Sequence, residues 1–265
     1  MKKILLLFTL TFISVFVISC EDPDIEIHET IDLIDTIGPV DDETSSVDVI
    51  SVWEHFKHTV HAGGGHQNPN DTPVVIRHED TIKVYIQGDN VSHSRVRLID
   101  SVLTVMNRIN KDNDFYAVRV RDSISANSFV FMGDKSEWAQ RWYQNETDNI
   151  NWIVNQLDQN NLGTSYVYFN GDDYSVDHTI WFLNVTNIEN KALIDEYRVL
   201  LHEFCHTLGT FYHSQTYDSI MYTFYRDDWE LTDLDLKTYQ ILYSDYISSG
   251  MTIEETKPII YSLVD

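Results

Sequence analysis

The chain has 265 residues, of which 43% are hydrophobic, and this is enough apolar material to fill the core of one large domain. Its formal net charge is −24 at pH 7. We expect no nucleic-acid partner, because neutralising phosphates requires a basic face. An anionic membrane surface would also repel the chain, so contact with a bilayer would need a lipid anchor.

Residues 1–20 are predicted to be a targeting segment. Lys2 and Lys3 precede an apolar run over residues 4–18, which is shorter than the roughly 20 residues of an ordinary membrane span. The run ends in Val-Ile-Ser-Cys at 17–20, which resembles the lipobox of bacterial lipoproteins. The resemblance implies lipidation of Cys20 and a secreted protein anchored at the bacterial outer membrane or cell surface. An uncleaved anchor helix is the alternative.

Residues 21–48 are predicted to be a disordered acidic tether. They carry eleven acidic side chains and no lysine or arginine. Sparse apolar residues and charge repulsion favour an extended chain over a packed element.

Four histidines cluster at the start of the remaining chain, in the segment 49–75. They are His55, His58, His61 and His66, close to three consecutive glycines. We predict a solvated histidine-bearing loop here. The helical spacing of three of these histidines leaves a second metal site as the alternative.

From Thr72 onward the residue pattern predicts a compact domain containing both strands and helices. Strands are predicted by β-branched and alternating runs at 81–86, 115–120, 128–132, 165–170 and 178–183. Helices are predicted by apolar residues at helical spacing at 94–110, around Trp138 to Leu157, at 189–207 and after Thr232. Thr232 and Asp235 have the spacing of a capping box, so the last helix is expected to begin there.

The strongest chemical signal is the motif H-E-x-x-H at residues 202–206. On a helix, His202 and His206 lie four residues apart and project from one face, where both can bind one Zn²⁺. Glu203 is placed to take a proton from water at that metal without binding the metal itself. The motif alone is weak evidence, because three fixed residues recur by chance.

The residues after the motif provide a candidate third ligand. Gly209 can adopt a positive φ and end the helix sharply, which turns the chain back towards the metal. His213 follows Gly209 by four residues and would leave the fourth zinc position open, as catalytic zinc requires.

The segment from His202 to Met221 resembles the metzincin signature H-E-x-x-H-x-x-G-x-x-H with its later Met-turn. It is most similar to the matrixin branch, the matrix metalloproteinases. Further matching residues are Ser214, Ile220, Tyr222 and Tyr225. One residue more than in the family separates Gly209 from His213, so Tyr212 stands at the usual third-ligand spacing and is the less favoured substitute.

The resemblance implies an α+β zincin fold for residues 49–265. The expected features are a mixed, mostly parallel twisted sheet with an antiparallel edge strand, an active-site helix, a Met-turn at Met221 and a C-terminal helix. The edge strand, with Tyr166 and Tyr168, would pair with the substrate backbone, although an ordinary edge strand fits the pattern equally well. Thr223, Phe224 and Tyr225 would form the wall of the pocket for the residue after the scissile bond.

Two further features allow more than one interpretation. The acidic loop 172–177 offers oxygens for Ca²⁺, but a solvated acidic turn is the favoured interpretation. Cys205 is the only cysteine besides Cys20. It is interpreted as a small packed residue under the helix rather than a redox group.

Taken together, the resemblance implies a zinc endopeptidase that cleaves extracellular or surface proteins. The zinc would be held by His202, His206 and His213, and Glu203 would activate the water bound to it. The alternatives are a zinc-bearing surface protein without proteolytic activity and a glycan- or protein-binding surface lipoprotein.

Overall fold

The computed structural model describes residues 15–19, 47–61, 73–88, 91–110, 113, 115–142, 162–188, 192–223 and 231–264. The strands in these ranges are β1 (Val15–Ser19), β2 (Ile82–Gln87), β3 (Ala117–Val120), β4 (Ser128–Gly133), β5 (Gly163–Phe169) and β6 (Val176–Asn184). The α-helices in these ranges are α1 (Val49–Val60), α2 (His93–Ile109), α3 (Lys135–Trp142), α4 (Val185–Ile188), α5 (Leu193–Thr207), α6 (Asp233–Leu242) and α7 (Ile253–Val264).

The strands form one sheet in the order β1-β5-β6-β4-β2-β3. From β6 to β3 all neighbouring strands are parallel, whereas β5 runs antiparallel to β6. The helix α2 crosses over between the parallel strands β2 and β3, as parallel pairing requires. The predicted α+β class, with a mostly parallel sheet and an antiparallel edge pair, is confirmed.

The strand β1 pairs antiparallel with β5, with Val15 opposite Tyr168 and Ser19 opposite Thr164. It lies in the segment that the sequence predicts to be a removable targeting signal. Cleavage before Cys20 would leave β5 as the edge strand of the sheet. None of the helices in the described ranges is long and apolar enough to cross a bilayer.

The helix α5 is buried along most of its length between the sheet and α2. Most of its predicted apolar stripe is buried: Leu200, Leu201 and Phe204 are each at most 1% exposed, whereas Leu193 at the start of the helix is 40% exposed. Phe204 contacts Trp181 of β6. Arg95 of α2 donates two hydrogen bonds, of 2.8 and 2.9 Å, to the Glu196 carboxylate. This packing and ion pair hold the helix rigidly, which suits a helix that carries functional side chains.

The opposite face of the sheet carries a second, aromatic cluster. Trp138 of α3 stacks on Tyr166 and Phe182 with ring centroids 5.4 and 5.3 Å apart. Trp138, at the start of the predicted helical insertion, therefore lies in the core. The other predicted residues of this helical insertion, from Trp152 to Leu157, lie outside the described residues.

The prediction of a solvated loop at the N-terminal histidines is wrong for residues 49–60, which form α1. Asp48 caps this helix by accepting hydrogen bonds from the main-chain N–H groups of Ile50 and Ser51. Its apolar residues at helical spacing pack against α6 and α7 and outweigh the local polarity; they are Val52, Trp53, Phe56 and Val60.

Two of the four N-terminal histidines are buried by this packing and bond to hydroxyl groups. The His55 Nδ1 atom lies 2.9 Å from Thr238 Oγ1, and the His61 Nε2 atom lies 2.9 Å from Thr256 Oγ1. The metal-ligating cluster found among the described residues does not include them. His66 lies outside the described residues.

The C-terminal helices α6 and α7 complete the packing around α1. The predicted capping box is confirmed, because Thr232 Oγ1 accepts from the Asp235 N–H and the Asp235 carboxylate accepts from the Thr232 N–H. The helix α7, in a segment with no predicted function, packs on α1. Its residue Thr256 lies beside His61, so this helix helps to bury that histidine.

Candidate active site

The three histidines predicted to bind zinc lie together at the end of α5 and in the loop that follows. The Nε2 atoms of His202 and His206 are 3.1 Å apart, and one potential ligand atom from each of the three rings lies within 4.8 Å of the others. The His213 ring centroid is 5.2 Å from that of His202 and 5.1 Å from that of His206. The extra residue before His213 is therefore compatible with convergence of the three rings.

Main-chain carbonyl groups orient the two helical imidazoles. His202 Nδ1 lies 2.7 Å from the carbonyl oxygen of Ile220, and His206 Nδ1 lies 2.6 Å from that of Thr210. A carbonyl oxygen can only accept, so each Nδ1 carries the proton and donates. The lone pair of each Nε2 is then directed at the shared point between the rings, as in many metal-binding histidines.

Burial keeps all three imidazoles neutral. It lowers the pKa of His202 and His206 well below the usual value, and it lowers the pKa of His213 to about 4. Neutral imidazole is the form that binds a metal. Three convergent neutral nitrogens fit the protein ligand set of catalytic zinc.

Glu203 lies against β5 rather than among the ligands. Its side chain is buried, and its Oε2 atom accepts a 2.6 Å hydrogen bond from Ser165 Oγ. A Cβ atom at Gly163 would lie 2.8 Å from both Cγ and Oε1 of Glu203. Ser165 belongs to the predicted edge strand, but the contact of Ser165 and Gly163 with Glu203 was not predicted, because nothing in a strand pattern shows which helix residue lies opposite.

The turn containing Met221 is held by buried hydrogen bonds. Met221 is fully buried. The Asp235 carboxylate accepts from the Ile220 N–H at 2.8 Å and from Ser219 Oγ at 2.6 Å. The Ser214 N–H donates to the Met221 carbonyl at 2.7 Å. These bonds keep the Ile220 carbonyl in place for His202.

His55 is a further buried residue that supports this turn, a role that its place among the N-terminal histidines did not predict. Its Nε2 atom lies 3.0 Å from Ser219 Oγ and 3.5 Å from Asp235 Oδ1. The helix α1 thus contacts the turn that orients His202. Only the long-range packing reveals this role, because Ser219 is distant in sequence.

The predicted substrate-binding residues lie in different environments, and two of them are not described by the structure. The Tyr166 side chain is buried against Trp138 on the sheet face away from Glu203, and Tyr168 stacks on His178 with ring centroids 4.2 Å apart. Any contact of β5 with a peptide would therefore use the main chain at these positions. Thr223 is partly buried after the Met221 turn, and Phe224 and Tyr225 lie outside the described residues.

Hydrogen bonds join residues within the acidic loop between β5 and β6. Asp173 Oδ1 accepts from the N–H and hydroxyl groups of Ser175, and Asp177 pairs with His178 at 2.9 Å. Within the described ranges, the only cluster of potential metal ligands is that of the three histidines. The loop residues Asp172, Asp173 and Asp177 are exposed, in agreement with the favoured solvated turn. Calcium binding there, the less favoured interpretation, stays untested.

The structure bears on the prediction for Cys205 but not on that for Cys20. Cys205 is fully buried in the core, and burial raises the pKa of its thiol. Both observations agree with its interpretation as a packed residue, since reactivity requires an accessible thiolate. Cys20 lies outside the described residues, and its lipidation stays a prediction.

Comparison with known proteins identifies the family. The peptidase family model described as Matrixin matches residues 105–244, slightly more than half of the chain. A search among curated proteins finds no match. The matched range includes α5, all three histidines and Met221. The chain therefore belongs to the matrixin family of zinc metallopeptidases, enzymes that act on proteins or peptides.

Proposed function

We propose that this protein is a zinc-dependent endopeptidase that hydrolyses peptide bonds of extracellular or surface proteins, with Glu203 as the general base. The observation that carries the proposal is the convergence of three neutral imidazoles at the end of α5, the helix that also carries the buried Glu203 carboxylate. This combination of ligands and a neighbouring carboxylate suits hydrolysis at a metal centre.

His202, His206 and His213 would hold the metal through the nitrogens that converge between them. Bound zinc would supply a Lewis acid that polarises the peptide carbonyl and makes water a stronger nucleophile at neutral pH. The hydrogen bonds from His202 and His206 to main-chain carbonyls keep both rings in the ligating orientation. The chain thus contributes a preorganised set of ligands.

Glu203 would carry the proton during hydrolysis. Its carboxylate would accept a proton from the attacking water and then deliver it to the departing amine nitrogen. The carboxylate is buried and held by Ser165, so little reorganisation would be needed at the moment of transfer.

The edge of β5 would bind the substrate main chain. The residues Ser165–Tyr168 already pair with an added antiparallel strand, β1, so this edge is suited to an extended segment. A peptide in the same position would run beside Glu203, because Ser165 contacts that carboxylate. Pairing through main-chain groups tolerates many sequences, which suits an enzyme that cleaves within proteins.

The proposed location rests on the N-terminal sequence. The lipobox-like residues 17–20 and the acidic stretch 21–48 would place the catalytic domain on a tether outside the membrane. Substrates at the cell surface or beyond would then be within reach. Labelling with a radioactive fatty acid in a bacterial host, compared with Cys20→Ala, would test the anchor independently of catalysis.

The substitution Glu203→Gln tests the catalytic proposal. We expect it to lower the rate of peptide cleavage by about 100-fold or more, since a general acid–base group typically contributes 10²–10⁴. Zinc content should remain at one equivalent, because Glu203 is not among the clustered ligands. A peptide blocked at both termini would be the substrate, so that cleavage reports an endopeptidase.

The result can contradict the proposal in two separate ways. Undiminished cleavage by the variant would remove Glu203 from its role. Zinc binding by the wild-type protein without cleavage of denatured proteins or of a peptide library would favour the non-proteolytic zinc protein.

A further inference from the structure

Two residues of β5 face the Glu203 side chain. Successive side chains of a strand alternate between the two faces of a sheet. Gly163 and Ser165 lie on the face towards α5, whereas Tyr166 packs against Trp138 on the other face. The strand that would bind substrate along its edge thus also contacts the proposed general base.

Ser165 binds the carboxylate directly. Its Oγ atom lies 2.6 Å from Glu203 Oε2 and 2.9 Å from the Glu203 main-chain carbonyl oxygen. A hydroxyl has one hydrogen, and the shorter distance lies in the range of a charge-assisted O–H···O⁻ bond. We therefore assign the donated hydrogen to the carboxylate. Ser165 is fully buried, so bulk water does not compete for this bond.

Gly163 leaves the space that the carboxylate occupies. A Cβ atom at this position would lie 2.8 Å from Cγ and Oε1 of Glu203 and 2.9 Å from Cγ1 of Val199. A Cβ atom does not approach other heavy atoms this closely, so a side chain at 163 would displace Glu203, Val199 or the strand. The absent side chain at 163 thus makes room for the carboxylate, and the hydroxyl at 165 holds it there.

We propose that Ser165 is a positioning residue for Glu203, which holds one carboxylate oxygen so that the group keeps the orientation required for proton transfer. The proposal rests on the proposed function, because it assigns Glu203 the role of general base. The Ser165 hydroxyl faces Glu203, whereas β5 would bind a peptide through its main chain. The hydroxyl therefore acts on the chemical step, and its loss should leave substrate affinity and zinc content unchanged.

The test compares Ser165→Ala and Ser165→Thr with the wild-type full-length protein on a doubly blocked peptide. We expect Ser165→Ala to lower kcat about 10-fold, which corresponds to about 1.4 kcal/mol of transition-state free energy, while KM and zinc content stay within twofold. Ser165→Thr keeps the hydroxyl and should restore most of the lost kcat. A purely structural role would not give this separation of kcat from KM or the rescue.

A second variant and a control accompany this test. Gly163→Ala should lower kcat although Ser165 is intact, because the added methyl group displaces the carboxylate. Thr59→Ala removes a buried hydroxyl that donates to a main-chain carbonyl within α1 and should leave kcat unchanged.

Each outcome decides the proposal. Unchanged kcat in Ser165→Ala, a parallel loss of zinc, or a threonine variant as slow as the alanine variant would overturn the role of Ser165 and leave the proposed function standing. Absence of cleavage by the wild-type protein would overturn the proposed function, and the role of Ser165 with it.

Discussion

His202 Nδ1 donates a 2.7 Å hydrogen bond to the main-chain carbonyl of Ile220, the residue before Met221. Asp235 accepts from the Ile220 N–H, and His55 lies 3.0 Å from the neighbouring Ser219 hydroxyl. Helix α1 is therefore linked to His202 by hydrogen bonds through Ser219, Asp235 and Ile220. This helix precedes the range matched by the family model, so the chain stabilises its Met-turn with an element outside that range.

The first prediction concerns the third ligand. We expect His213→Ala to weaken zinc binding by more than the roughly 10- to 100-fold that loss of a hydrogen-bonding partner outside the ligand set costs. Tyr212→Phe should leave zinc affinity unchanged, because the Tyr212 ring packs against the apolar cluster containing Phe211. Competition with a chromophoric chelator measures both affinities. Weaker binding by Tyr212→Phe would mean that the tyrosine takes part in the site.

The second prediction concerns the turn after α5. Gly209 has φ +110°, and a Cβ atom there would lie 2.4 Å from the Ile76 carbonyl oxygen. We expect Gly209→Ala to lower the free energy of unfolding by about 2–4 kcal/mol through backbone strain and the clash. Zinc affinity should fall as well, since the next residue, Thr210, provides the carbonyl that orients His206.

Gly171 provides the matched control for this substitution. A Cβ atom at Gly171 meets nothing within 4 Å, so Gly171→Ala should change the free energy of unfolding by less than about 0.5 kcal/mol. Urea unfolding followed by tryptophan fluorescence measures both variants. Equal stability of the two variants would contradict the assigned role of Gly209.

The third prediction concerns acid stability. Burial lowers the pKa of His61 from 6.5 to about 4. Above pH 6.5 this imidazole is neutral in both the folded and the unfolded chain. As the pH falls from 6.5 to 4, the unfolded chain binds a proton that the folded chain excludes, so folding becomes less stable. The loss amounts to about 3 kcal/mol over this window.

A comparison with His61→Gln isolates this contribution. The wild-type protein should lose about 3 kcal/mol more than the variant between pH 6.5 and 4, measured by urea unfolding at equal zinc concentration. Thr59→Ala serves as a control, since it changes no titratable group of the same helix, and it should keep the wild-type pH dependence. Identical curves for His61→Gln and the wild-type protein would contradict the prediction.

Local patterns were sufficient to predict β2 to β6 and the helices α2, α3, α5 and α6, and to single out His202 and His206 as candidate ligands. The H-E-x-x-H spacing places His202 and His206 on one helical face whatever surrounds the helix. The capping box at Thr232 and the alternation in the strands likewise depend on residues a few positions apart. The apolar stripe of α5 also predicted its buried face.

Tertiary contacts decided the remaining features. The position of His213 depends on how the loop after Gly209 folds, and the sequence alone left Tyr212 as an alternative. The helix α1 was taken for a loop because its histidines look polar until α6 and α7 supply an apolar surface and hydroxyl partners. Ser165 lies 38 residues from Glu203 in the chain, and no local period relates a strand residue to the helix residue packed on it. The chain by itself therefore specified which chemistry is carried, and long-range packing decided which side chains meet to perform it.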